Sequence, residues 1–413
     1  MLAPVVIFAL TYVAIAARRL PFVPLDRPAV ALVGAVAMVA MGGLGLDEAL
    51  AAIDLHVIVL LFGVMVIAAY LERAQAFRFT AWWVLTRARS ARTLLWALVF
   101  VAGGLSALLV NDTVCLVLTP LVVAVVIEAE LPPLPYLLAL ASATNVGGVM
   151  SFTGNPQNMI IGRAAAGEPS FAEYSALVLP IGVACLAVDA LVLCWLFRAQ
   201  LPAGLLPERT TPRPYLDGRL TATAVAALLA FVTMAVAGVP LEAASATAAA
   251  ALIIAARLPP REVLRRADWP LLLFFAGLFV VVRGVSGTGV LDEAWAMLAP
   301  AGDAAPNLAL LQVAGLSVLG SNLVSNVPFV IIAVDWIPSL VEPRWGYVML
   351  AVTSTLAGNL TLFGSVANII VFESAGARGR IGFWQFMRYG AVVSLATLVV
   401  AVALLLLERA LGL

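Results

Sequence analysis

The stretch that decides the fold is NVGGVMSFTGNPQN, residues 145–158. The chain on either side is almost wholly aliphatic. Yet these fourteen positions hold three glycines, a proline, three asparagines, a glutamine, a serine and a threonine. Helix breakers and amides inside an apolar run demand an explanation, and the first step is to ask what solvent the chain lives in.

Of 413 residues, 63% are hydrophobic and 11% charged, and the mean hydropathy is +1.08. Soluble domains average about 45–50% apolar and about 25% charged. This chain cannot cover itself with polar surface, so the lipid bilayer is its solvent. The net charge of zero argues against nucleic acid as a partner. Cys115, Cys185 and Cys194 lie in apolar segments and form neither a disulfide framework nor a zinc pattern. At the N-terminus Arg18 and Arg19 follow the first apolar run. A signal peptide carries its positive charge before that run, so residues 2–17 read as a first membrane helix.

A spanning helix needs about 20 mostly apolar residues. Further spans are expected at 28–43, 55–71, 174–197, 220–239, 241–256, 269–285 and 387–407. Three longer apolar regions, 92–131, 136–162 and 307–371, are less regular. The positive-inside bias orients the set: 19 of the 23 basic residues, all arginine, fall on one side if both termini lie outside. That bookkeeping holds only if 92–131 and 307–338 enter and leave on the same face, as re-entrant hairpins.

An internal repeat accompanies this pattern. DLHVIVLLFGVMV (54–66) resembles DWPLLLFFAGLFV (268–280), and SALLVN (106–111) resembles SNLVSN (321–326). The opening stretch aligns with TLAGNLTLFGSVAN (355–368) at an offset of 210, pairing Gly148 with Gly358, Gly154 with Gly364 and Asn158 with Asn368. The expected organisation is a first repeat over 1–197 (hairpin 92–131, broken helix 136–166), a cytoplasmic linker over 198–219 and a second, inverted repeat over 220–413 (hairpin 307–338, broken helix 346–371). The fold class is an all-α polytopic membrane protein, with five spanning helices and one re-entrant hairpin per repeat.

The breakers now have a reason. Backbone without internal hydrogen bonds is tolerated at membrane depth only when buried in protein or lining a wet cavity. Paired broken helices in two inverted halves point to a carrier's central binding site, where freed N–H groups attract anions and freed carbonyls ligate cations. The expected substrate- and ion-binding residues are Asn111, Asp112 and Thr113 at the first hairpin tip and Ser325 and Asn326 at the second. In the first break they are Asn145, Gly147, Gly148, Ser151, Thr153, Gly154, Asn155 and Asn158. In the second they are Gly358, Asn359, Thr361, Gly364, Ser365 and Asn368. A carboxylate at membrane depth is costly when charged, which makes Asp112 the candidate to carry a coupling proton. Asp189 and Asp335 have no motif around them and read as structural or interfacial. Arg283, which could counter a substrate anion, sits near a helix end where it can snorkel. His56 reads as a capping or interfacial residue, and Cys115, which could touch a thiophilic solute, reads as a buried cysteine.

These motifs resemble the ion transporter superfamily of divalent anion–sodium symporters, arsenite permeases and sodium/proton antiporters. NVGGVMSFTGNPQN is similar to the symporters' N-[IV]-G-G-x-x-[ST]-x-[TI]-G-[TN]-P-x-N loop, and in NDTVCLVLTP Pro120 follows Asn111 by nine residues, as in their S-N-T hairpin. The tips here read VND and SNV, and the second break lacks the symporters' proline pair, which looks more like the arsenite-permease branch. The resemblance implies an elevator-type carrier, usually a homodimer.

A membrane enzyme would need a nucleophile–base pair or a metal cluster, and one histidine with scattered serines supplies neither. Channels build pores from rings or filters, whereas an inverted repeat with broken helices favours alternating access. The expectation is a secondary carrier of a small anion or oxyanion (an arsenite-like species, an inorganic oxyanion or a carboxylate), driven by H+ or Na+. The alternative is a sodium/proton antiporter of the same fold. No cofactor or resident metal is expected. The location expected is a bacterial or archaeal inner membrane.

Overall fold

The computed structural model describes residues 2–16, 25–41, 43–202, 204, 213–298 and 306–412. Arg18, Arg19 and residues 203 and 205–212 of the polar linker lie outside the described residues. Described helices of the first part are α1 (Leu2–Ala16), α2 (Arg27–Ala40), α3 (Leu46–Ala52), α4 (Leu55–Arg73), α5 (Ala76–Arg87), α6 (Ala91–Leu108), α7 (Asn111–Glu128), α8 (Pro133–Gly148), α9 (Pro156–Ala164) and α10 (Phe171–Leu196). After the linker come α11 (Gly218–Val236), α12 (Leu241–Ala256), α13 (Pro260–Leu264), α14 (Trp269–Ser286), α15 (Val290–Leu298), α16 (Pro306–Val324), α17 (Asn326–Ala333), α18 (Pro343–Ala357), α19 (Val366–Ser374) and α20 (Phe383–Ala410). No strand occurs among the described residues, so the chain is all-α there.

Among the described residues eight helices are long and apolar enough to cross a membrane: α4, α6, α7, α10, α11, α14, α16 and α20. Large apolar side chains stand exposed along many helices, among them Ile254 at 78%, Val399 at 67% and Leu319 at 64%. Patches of this extent are not left to water; they face lipid. The aspartates that open the first recognised repeat have matching jobs. Asp54 Oδ1 caps α4 through the amides of His56 and Val57, and Asp268 Oδ1 caps α14 through that of Leu271.

The two helices that precede the breaks sit deepest. On α8 every residue from Pro135 to Gly148 is buried, and on α18 every residue from Gly346 to Ala357. A helix apolar all round belongs inside. α8 is wrapped by α6, α7 and α10, and α18 by α16 and α20. The breaks cross-connect the assembly: α19 packs on α7 and α8, while α9 packs on α17 and α18.

Candidate functional site

The first break runs from Val149 to Asn155, one to two residues later than the glycine pair alone suggests, because α8 continues through Gly147 and Gly148. Proline costs no hydrogen bond at a helix's first position, and Pro156 opens α9 there with Asn155 as its cap, whose side chain accepts from Asn158 N at 2.8 Å. A helix end leaves carbonyls without partners. Asn158 Nδ2 takes up those of Gly148 (3.1 Å) and Ser151 (3.2 Å), and the Tyr174 hydroxyl donates to that of Val149 at 2.8 Å.

The second break, Gly358 to Ser365, reaches the same closure without a proline. Asn368 Nδ2 donates to the carbonyls of Gly358 (2.8 Å) and Thr361 (3.0 Å), each 210 positions beyond its counterpart. Thr361 Oγ1 donates to Asn322 Oδ1 at 2.8 Å and accepts from Gly364 N at 3.0 Å.

Each break is clasped by a tip. α6 and α7 are joined through Leu109 and Val110, α16 and α17 through Ser325. Asn111 N donates to Gly154 O at 2.9 Å, and Asn326 N to Gly364 O at 3.2 Å. Both asparagine side chains then accept the next amide, Asp112 N and Val327 N, each at 2.9 Å. Ser325 holds a left-handed backbone (φ +76°), and its buried hydroxyl has no partner among the described residues. A non-glycine residue held there costs about 1–3 kcal/mol and concentrates at functional positions.

Between the breaks the amides join into one cluster. Asn145 Oδ1 accepts from Asn111 Nδ2 and from Ser365 Oγ, both at 3.0 Å. Asn145 Nδ2 donates to Asn359 Oδ1 (2.7 Å) and Asn368 Oδ1 (3.2 Å). Alongside, Thr355 Oγ1 accepts from Asn155 Nδ2 (3.3 Å) and Gln157 Nε2 (3.2 Å). These residues are all 0–2% exposed. The N-termini of α7, α9, α17 and α19 meet at this region, bringing positive helix-dipole ends to it. Amides and hydroxyls present donors and acceptors together, so such a cluster can solvate an oxygen-rich solute or a cation without a fixed charge of its own.

The remaining expected residues divide. Ser151 Oγ donates to Ala107 O at 2.6 Å and lies 3.1 Å from Thr153 Oγ1, tying the loop to α6. Gly148 and Gly154 stand back to back: a Cβ on Gly154 would lie 2.4 Å from Gly148 O. Gly147 faces α6 instead of the cluster, because a Cβ there would lie 2.1 Å from Gly103 O. That side of Gly147 lets α6 and α8 pack closely. Thr113 is half-buried, and no hydrogen bond joins its side chain to the cluster among the described residues. Asp112 is 6% exposed, with Asp268 and Arg27 acting on it electrostatically from the starts of α14 and α2.

Elsewhere, Cys115 is buried with Sγ 3.0 Å from Thr144 Oγ1, and His56 Nδ1 pairs with Glu242 Oε1 at 2.8 Å at an exposed helix start. Arg283 and Asp335 are exposed. Gln157, Thr355 and Ser142 belong to the network but were not among the expected residues. The first two lie inside or beside the aligned stretches, so the repeat itself was the available signal. Among the described residues no three His, Cys, Asp or Glu gather in a metal-holding group.

Spanning helices packed around two broken helices, with a buried polar cluster joining the breaks, define a polytopic membrane transporter. The chain belongs to the citrate transporter family, whose model matches residues 12–343. It is 29% identical over 460 residues to the silicon efflux transporter LSI3 of Oryza sativa subsp. japonica, with 93% of each chain covered. It is 31% identical over 423 residues to the uncharacterized transporter Rv2684 of Mycobacterium tuberculosis, with 96% of each covered. In fold it is similar to the crystal structure of the Alcanivorax borkumensis YdaH transporter, described as having an unusual topology (TM-score 0.58, 17% identity, 99% of each chain covered).

Proposed function

We propose that the protein is a secondary active transporter of a small anion or oxyanion, driven by a proton or sodium gradient through alternating access. The observation that carries this reading is the bridge of buried amides, Asn111–Asn145–Asn359 with Asn368 and Ser365, that joins both breaks and one hairpin tip. Four helix N-termini supply partial positive charge to the same place, which favours an anionic solute over a bare cation. The family description names citrate, a carboxylate, and the rice relative's name specifies silicon. Amide and hydroxyl donors suit small oxygen-bearing solutes of either kind.

On this reading the polypeptide is built as two inverted repeats, with α6–α7 and α16–α17 as re-entrant hairpins. The hairpins, broken helices, α10 and α20 move as an elevator against the other helices. The protein sits as a homodimer in the cytoplasmic membrane with both termini outside, an orientation that rests on arginine placement. The parallel closure of the breaks by Asn158 and Asn368 supports the repeat. The antiporter alternative needs intramembrane carboxylates that exchange protons for sodium, and Asp112 at the first hairpin tip is its candidate.

The test is transport in proteoliposomes of purified protein with sodium and proton gradients imposed separately, using citrate, phosphate, sulfate and arsenite and recording internal pH. Gradient-driven accumulation of one solute supports the reading. Sodium movement against protons with none of the solutes carried would replace it with the antiporter.

A further inference from the structure

The cluster does not end at Asn359. Asn359 Nδ2 donates to the carbonyl of Ser142 on α8 at 3.3 Å, and Ser142 Oγ lies 3.0 and 2.9 Å from the two carboxyl oxygens of Asp189 on α10. Asp189 is 0% exposed, and Ser142 is its only hydrogen-bonding partner among the described residues. Ser142 Oγ also lies 2.9 Å from Leu138 O.

A hydroxyl has one proton to give. If Asp189 were ionised, that proton would be the sole compensation for a full charge in the protein interior, and the serine hydroxyl could no longer donate to Leu138 O. If Asp189 is protonated, its O–H donates to Ser142 Oγ and the serine proton goes to Leu138 O. Every group is then satisfied and no charge is buried. Burying an unpaired charge is far costlier than burying a hydrogen-bonded neutral acid.

Among the described residues no cation forms an ion pair with Asp189. α10 packs against α6, α8, α11 and α20. The charged or titratable groups on these helices are Glu173, Tyr174, Cys185 and Cys194 on α10 itself, Arg92 on α6, Tyr136 on α8, Arg219 on α11, and Arg388, Tyr389, Glu408 and Arg409 on α20. Cys185, one turn back, acts on Asp189 electrostatically and carries no positive charge. A crevice of about 10 Å³, the room of about one water, is lined by Ser142, Asn359, Tyr389 and Gly390 and reaches the serine that holds Asp189.

We propose that Asp189 is a proton-binding residue of the transporter, neutral in this conformation and linked to the central amide cluster through Ser142 and Asn359. The proposal rests on the carrier reading above. It places a proton site one hydrogen-bonded step behind the solute site and separate from Asp112. Movement of Asn359 as solute binds or leaves would shift the Ser142 backbone, and with it the serine that accepts the Asp189 proton.

Infrared difference spectroscopy of the purified, lipid-reconstituted protein tests the proton directly. The expected result is a carboxylic-acid C=O band that persists in Asp112→Asn, disappears in Asp189→Asn and moves to higher frequency in Ser142→Ala. Asp189→Asn keeps the shape and a hydrogen bond to Ser142, so the variant is expected to fold. In proteoliposomes it should lose pH-gradient-driven accumulation of citrate while keeping exchange of internal for external citrate. A band unchanged in Asp189→Asn, or accumulation that follows the pH gradient as in wild type, overturns the proposal. Failure of the wild-type protein to carry citrate or any other solute of the panel would strike the carrier reading instead, and the band would still decide whether Asp189 holds the proton.

Discussion

Asn145 donates to Asn359 across 2.7 Å, the shortest side-chain bond between the two broken helices among the described residues. Both amides are buried, so neither has water to fall back on. Breaking one buried hydrogen bond and stranding its partner costs about 1–3 kcal/mol, or about 5–150-fold in an equilibrium constant. Asn145→Ala and Asn359→Ala are each expected to weaken solute affinity by a factor in that range. The double variant should be less impaired than the two losses combined, because the residues share one bond. A solute-binding titration of the four proteins checks this, and strictly additive losses would mean that the bond does not serve the site.

Asn158 and Asn368 hold a different kind of position. Each satisfies two carbonyls at the end of the helix before its break, so their first duty is to the shape of the loop. Alanine at either position leaves those carbonyls buried and unpaired. We expect each variant to lose transport and to be destabilised by about 1–3 kcal/mol, read as a lower thermal unfolding midpoint in detergent. Normal transport in both variants would remove the breaks from the site.

These residues show which parts of the site could be read in advance. The first break announced itself through Gly147, Gly148, Gly154 and Pro156, because residues that interrupt a helix are conspicuous in an aliphatic run. The second was found only by its alignment to the first, since GNLTLFGS has no proline to mark it. Partnerships across the molecule were not legible. That Gln157 and Asn155 share Thr355 Oγ1 depends on how α9 meets α18, roughly 200 positions apart in the chain, and no local propensity encodes it. Asp189 was passed over for the same reason. It is a lone aspartate in an apolar helix, and its meaning comes from a serine on another helix. Gly147 carries a constraint that the motif did not show: its close approach to Gly103 leaves no room for a side chain.

That contact gives a prediction with an internal control. α6 and α8 approach so closely that a methyl group on Gly147 would overlap Gly103 O and Cα, at 2.1 and 2.5 Å, both backbone atoms that cannot rotate away. Gly147→Ala should therefore cost at least the 1–3 kcal/mol (about) typical of overpacking and reduce the yield of folded protein. The adjacent Gly104→Ala meets nothing within 4 Å and should be neutral or slightly stabilising, since alanine favours the helix. Thermal unfolding of the pair separates packing from a general intolerance of α6 and α8 to substitution.

Asp112 is the last group whose role can be tested cleanly. It follows Asn111, which clasps the first break, and Arg27 and Asp268 act on it from the starts of two other helices. If Asp112 exchanges a coupling proton, transport must vary with pH as the carboxyl changes state. Asp112→Asn keeps the size of the side chain and removes that change. The variant is expected to remain folded, to bind solute with the Asn111–Asn145 bond intact, and to show a transport rate flat across the pH range in which the wild-type rate varies. Measuring the full pH profile distinguishes this from simple damage, which lowers the rate at every pH but keeps the shape of the curve. An unchanged profile would assign Asp112 to holding the hairpin tip.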